Sequence, residues 1–117
     1  MSDDLNQLIK DKAFQVFEII VNPVFSELIE EYDNVKGYEV VIVNESPLIM
    51  GIELYNSIMF KHPDGMEMII CVYWLGGHDK LVAENIRMVT LNKVFNIYEV
   101  TKKELKKQIK FLAALGS

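Results

Sequence analysis

Cysteine is all but missing from this chain: Cys71 stands alone among 117 residues, so no internal disulfide can staple the fold. A lone thiol fits a reducing compartment. No run of about 18 apolar residues occurs, which removes any membrane-spanning helix from the expectation. The opening residues Met1, Ser2, Asp3 and Asp4 are acidic where a secretory signal is basic. A cytoplasmic protein with no membrane partner is therefore expected. Arginine is scarce as well, with Arg87 the only one. Phosphate backbones are held by clustered Lys and Arg, so nucleic acid is not an expected partner.

Chemistry-bearing motifs are equally sparse. The stretch WLGGHDK, residues 74–80, places two glycines before His78, Asp79 and Lys80. A glycine-rich turn opening a helix can cradle phosphate on free backbone N–H groups. Here Asp79 occupies the capping position, where its carboxylate would take those donors and repel an anion. No G-x-G-x-x-G or G-K-[ST] pattern is present. His62, His78 and Cys71 are the only soft ligands, without C-x-x-C or H-x-x-x-H spacing, so no metal and no cofactor are expected. Cys71 sits in MEMIICVYW, a core strand environment that suits neither an exposed thiolate nor a histidine partner. Glu39, Glu53 and Glu67 share a strand parity, but acids on the open face of a sheet ordinarily serve solubility.

What the chain has is apolar residues and uneven charge. Half of it is hydrophobic, enough for one domain, residues 1–117, to bury roughly 65% of its unfolded surface. The net charge is −5. Residues 1–35 hold eight acids against Lys10 and Lys12, whereas residues 101–117 hold five lysines against Glu104. The two ends attract each other, and lysines 102, 103, 106, 107 and 110 read as the wet face of a helix.

Leu5, Leu8, Ile9, Phe14, Phe17, Ile20, Val21, Val24, Leu28 and Tyr32 recur at three- and four-residue steps, which predicts amphipathic helix over 4–33. Pro23 interrupts it and pushes Asn22 away from helical dihedrals, so a bend or break is expected there. About 30 residues at 1.5 Å span roughly 45 Å, more than the ~35 Å diameter expected for the domain. Either the helix folds back or one end overhangs.

Gly37 is the natural stop, after which Tyr38–Asn44 reads as a strand closed by Ser46-Pro47. From Leu48 the even positions are mostly apolar and the odd ones mixed. KHPDGME carries hairpin chemistry, with Pro63 and Asp64 in the turn and Gly65 at the left-handed position. That register pairs His62 with Met66, Lys61 with Glu67, Phe60 with Met68 and Ile58 with Ile70. Residues 79–85 read as a short helix capped by Asp79, followed by strands at 86–91 and 94–100 turning at Asn92-Lys93; one helix over 79–93 competes with this. Thr101 and Glu104 form a capping box for a last helix, Val100 and Leu105 its staple, and Gly116 its end.

The expected fold class is α+β: an N-terminal helix bent or broken at Pro23, an antiparallel sheet of about five strands and a C-terminal helix, in the order α-β-β-β-(α)-β-β-α. In architecture only, that order resembles the layout of type III secretion chaperones, which are small, acidic and dimeric. Five of the six methionines fall in the sheet, and Tyr55, Met59, Ile69 and Tyr73 make its odd face partly apolar where a wet face should be polar. The function this favours is a non-enzymatic protein-binding module of the inhibitor, immunity or escort type. It would hold another protein through Glu27, Glu30, Glu31 and Asp33 and through that sheet face, with a homodimer possible. The competing expectation is a small enzyme or ligand binder with a helix/sheet pocket near His78 that draws on Asp79 and His62.

Overall fold

The apolar residues of the first 32 positions repeat every four residues in two rows: Ala13, Phe17, Val21, Phe25, Ile29 and Val16, Ile20, Val24, Leu28, Tyr32. A repeat of four drifts about 40° per step around an α-helix, so a long regular helix would rotate its stripe off the core. The chain corrects the drift with one wide turn. The computed structural model describes residues 2–88 and 90–114, and in it α1 (Ser2–Val16) runs through a π-helical turn at Phe17–Val21 into α2 (Asn22–Tyr32). Within that turn the Asn22 N–H donates to the Phe17 carbonyl five residues back. The extra residue returns both rows to the core. Pro23, which has no N–H to give, sits at the first turn of α2. Asn22 keeps helical angles, φ −62° and ψ −44°. The expected break at Pro23 is thus absent: the irregularity is the wide turn before it.

The helix therefore does not fold back. Its 31 residues span about 46 Å, and the molecule measures 53 × 25 × 20 Å. The start of α1 overhangs, leaving Leu5 and Leu8 exposed. The helix stops at Tyr32, five residues before the expected Gly37, which instead adopts φ +89° in the turn against Pro63.

Five strands follow: β1 (Glu39–Val43), β2 (Ile52–Lys61), β3 (Glu67–Leu75), β4 (Lys80–Asn85) and β5 (Asn92–Asn96), then α3 (Lys102–Ala114). They form an antiparallel meander in chain order. The β2–β3 register is the expected one, with Lys61 opposite Glu67, Phe60 opposite Met68 and Ile58 opposite Ile70. The turn is also as expected: the His62 N–H bonds the Met66 carbonyl at 2.8 Å and Gly65 takes φ +92°. All helices pack on one face of the sheet, over Val40, Ile58, Phe60, Ile70, Val72, Trp74, Leu81, Ala83 and Phe95.

Residues 79–100 depart from expectation. The stretch 80–85 is strand, not short helix, because Leu81 and Ala83 alternate into the helix-covered core while paired to β3. Asp79 caps nothing; its carboxylate accepts from Asn96 Nδ2 at 3.2 Å and its carbonyl from the Ile97 N–H at 2.9 Å. Asn92-Lys93 opens β5 and is not a turn. Two asparagine side chains make the real turns by bonding backbone N–H groups just ahead. Asn85 Oδ1 accepts from Arg87 and Met88, and Asn96 Oδ1 from Tyr98. Val89, inside the expected strand 86–91, lies outside the described residues.

Before α3, Thr101 Oγ1 accepts the Glu104 N–H at 3.2 Å, and Val100 and Leu105 are buried beside it. Gly116, its expected end, lies outside the described residues. Two buried side chains reach carbonyls in the last turn of α3: Asn85 Nδ2 donates to Leu112 O at 3.1 Å, and the His62 Nε2–H to Ala113 O at 2.9 Å. Asn85 thus ties the β4–β5 turn to α3. Asn85→Ala is expected to lower unfolding stability by about 1–3 kcal/mol, read as a lower urea midpoint with unchanged slope, because it strands buried backbone groups.

Candidate functional site

The face of the sheet away from the helices carries Val41, Val43, Tyr55, Ser57, Met59, Ile69, Cys71, Tyr73, Val82 and Glu84, as the register dictates. It is not an open apolar face. Ile69 is 1% exposed and Tyr73 4%, so neither is available on the surface as expected, while Met59 is half-buried and Tyr55 exposed. The cover is the β1–β2 connection, residues 44–51. Ser57 Oγ, buried in mid-strand, donates to the Glu45 carbonyl, and the Tyr55 hydroxyl donates to Asn44 Oδ1 at 2.6 Å. These bonds hold the loop against the sheet. Its outer side is strongly apolar: Leu48 and Met50 are fully exposed, with Ile49 beside them.

Between this loop and the β4–β5 turn lies a groove of about 460 Å³, walled by Pro47, Leu48, Ile49 and Ile86, with Glu84 and Arg87 also lining it. Glu84 is only 7% exposed. One of its oxygens takes the Tyr73 hydroxyl at 3.3 Å. Burial pushes its carboxyl above the usual range, against the lowering effect of that hydrogen bond. Tyr73 in turn is pushed up to about 12, by burial first and by the Glu84 charge second. Cys71, opposite Glu84 on the neighbouring strand, is raised to about 11 by burial, with the Ser57 hydrogen bond opposing. A thiol so held stays protonated and is no nucleophile.

The acids expected to meet a partner divide. Glu27 and Glu31 face α3: Lys106 lies 3.3 Å from Glu27 and 2.5 Å from Glu31, Lys102 3.4 Å from Glu27 and Lys110 2.8 Å from Glu31. Lys106 first, then the second lysine beside each, lowers both carboxyls. A depression of about 600 Å³ along this seam is lined by Glu27 and the five lysines of α3. The attraction expected between the chain ends is therefore realised within the molecule, and it engages two of the four acids, still solvent-accessible, with the lysines of α3. Glu30 and Asp33 are exposed and form no ion pair among the described residues.

The two histidines are not brought together. His62 precedes β3 and His78 follows it, so the whole length of that nine-residue strand, roughly 30 Å at ~3.3 Å per residue, lies between them. His62 is a buried cap of α3. His78 is exposed, and its carbonyl accepts the Trp74 indole N–H at 2.6 Å. The paired glycines are structural: Gly76 donates its N–H to Gly51 O and lies against the Glu53 side chain where a Cβ would collide, while Gly77 needs φ +82°. Among the described residues no three His, Cys, Asp or Glu side chains converge as a metal site would require, and no helix is long and apolar enough to cross a membrane.

No family model, curated protein or solved structure matches the chain.

Two pH responses follow from these shifts. Glu84 has a raised carboxyl, so its burial costs nothing below the ordinary value of 4.5 and destabilises as pH rises through the shifted value. Glu84→Gln is expected to raise the thermal midpoint by a few degrees at pH 7.5 and to match the parent near pH 4. Glu27 and Glu31 are lowered, so their contribution is present above 4.5 and lost as pH falls below it. Lys106→Met is expected to flatten that acid-side loss, seen in thermal midpoints between pH 6 and pH 2.5.

Proposed function

We propose that this protein is a binding module without catalysis, which holds another protein through the tip of its β1–β2 loop. The observation that carries the reading is the full exposure of Leu48 and Met50, flanked by Pro47 and Ile49, on a loop anchored to the sheet by Ser57 and Tyr55. Burying each such side chain in a complex is worth about 1.5–3 kcal/mol, a gain the isolated chain forgoes. Methionine and leucine at a loop tip suit an adaptable contact. An anchored loop also loses little entropy on binding.

The free acids Glu30 and Asp33, on a chain of net charge −5, add long-range attraction for a basic partner. The lone buried thiol of Cys71 suits a reducing, cytoplasmic setting. The overhanging start of α1, with Leu5 and Leu8 exposed, suits self-association into a homodimer.

The test is affinity capture of the tagged chain from its own host, at low and high salt, with partners identified by mass spectrometry. The double variant Leu48→Ser, Met50→Ser is expected to lose the partner at both salts while keeping its thermal midpoint. Glu30→Lys with Asp33→Lys is expected to slow association at low salt only. Recovery of the same partner in unchanged yield by the loop variant would end this reading.

A further inference from the structure

Glu84 is a carboxylate with one hand empty. One oxygen is held by the Tyr73 hydroxyl; no described residue donates to the other, yet no buried side-chain polar atom among the described residues lacks a partner. The second oxygen therefore keeps some accessible surface, and the surface beside it is the groove bounded by Pro47, Leu48, Ile49 and Ile86. The protein buries a carboxyl there and leaves one acceptor facing a groove of about 460 Å³ with apolar walls and Glu45, Ser46 and Arg87 at its edges, within the usual size of a ligand site.

We infer that this groove receives a lysine side chain of the partner polypeptide, its ammonium bonded to the free oxygen of Glu84 and its methylene stem laid along Pro47, Leu48, Ile49 and Ile86. The assignment rests on the protein-binding reading and names the chemistry of the same loop's inner side. Charge complementarity selects a cation. The single open oxygen selects lysine over arginine, because a guanidinium fork needs two acceptors side by side and Tyr73 already occupies one. The apolar walls suit a stem of four methylenes beneath a charged head. Other charges face the site: exposed Glu45 on the loop adds attraction, and exposed Arg87 on the β4–β5 turn opposes it. Tyr73 donates from β3 and keeps its proton, since burial pushes its hydroxyl up to about 12.

The probe is the blocked peptide Ac-Ala-Leu-Lys-Leu-Ala-NH2, compared with the same peptide carrying norleucine or arginine at the centre. Binding to the full chain is followed by backbone amide shifts. The lysine peptide is expected to move the amides of residues 45–49 and 84–87 and to bind roughly tenfold more tightly than the norleucine peptide, the size of one charge-assisted hydrogen bond. It should also outbind the arginine peptide. Glu84→Gln should remove that tenfold preference with the rest of the spectrum unchanged, and Arg87→Ala should tighten lysine binding.

Equal binding of the lysine and norleucine peptides, or an unchanged preference in Glu84→Gln, overturns the assignment in favour of a purely apolar contact. Loss of binding in Arg87→Ala overturns it in favour of an anion site. Partner capture that needs Leu48 and Met50 but ignores Glu84→Gln would sink the lysine site and leave the loop reading standing. Capture indifferent to the loop variant would sink the loop reading itself.

Discussion

Strand β3 has to be dry on both sides, and the rest of the molecule follows from that constraint. Every residue from Met68 to Trp74 is buried, so the sheet needs a cover on each face. A chain of this length supplies one layer of helix, and α1, α2 and α3 all lie on the face of Ile70, Val72 and Trp74. The opposite face, with Ile69, Cys71 and Tyr73, is closed by a connection of about eight residues. A loop has two sides, and one this short cannot hide its own. Fastening the loop to Ser57 through the Glu45 carbonyl leaves Leu48 and Met50 turned outward. The exposed apolar tip is thus tied to core formation, which is why it sits at a defined place on the surface.

How much of this could be read from the residues depended on whether local chemistry and long-range pairing agreed. In KHPDGME they do: proline, aspartate and glycine favour the turn, and the side-chain parity on either side buries one face, so register and turn were both legible. Over residues 79–100 they disagree. KLVAEN has the composition of a helix start, yet pairing with β3 draws Leu81 and Ala83 into the core and makes it a strand. The turns after it depend on Asn85 and Asn96, and the Asn85 geometry is set by a carbonyl of α3 27 residues on. No local pattern carries that information. The wide turn before Pro23 is an intermediate case. Its signal, two apolar rows at strict four-residue spacing, is present in the sequence and conflicts with a regular helix.

The site was less legible than the fold, for two reasons. Charge asymmetry between the chain ends correctly implied attraction, but net counts do not say which acids meet lysines. Glu27 and Glu31 lie one turn apart on the side of α2 that packs against α3, whereas Glu30 and Asp33 reach no lysine within ion-pair distance among the described residues. Parity likewise placed Ile69 and Tyr73 correctly on the face away from the helices. It could not show that the loop from Asn44 to Gly51 returns over them, since that depends on Ser57 finding the Glu45 carbonyl.

Folding alone has little use for two features of this molecule. A carboxylate beneath a loop, beside a phenol and a thiol that both resist ionisation, costs stability at neutral pH, and glutamine would keep the tyrosine bond at lower cost. Fully exposed leucine and methionine at a loop tip gain the isolated chain nothing and invite association. Each alone is a minor irregularity. Both, however, meet at one groove, with Glu84 on its inner wall and Leu48 on its rim, and a contact made there would satisfy both at once. A partner that brings an apolar surface with one cation among it removes the desolvation problem of Glu84 and the exposure of Leu48 in a single step. The loop that had to close β3 is also the element best placed to meet another protein.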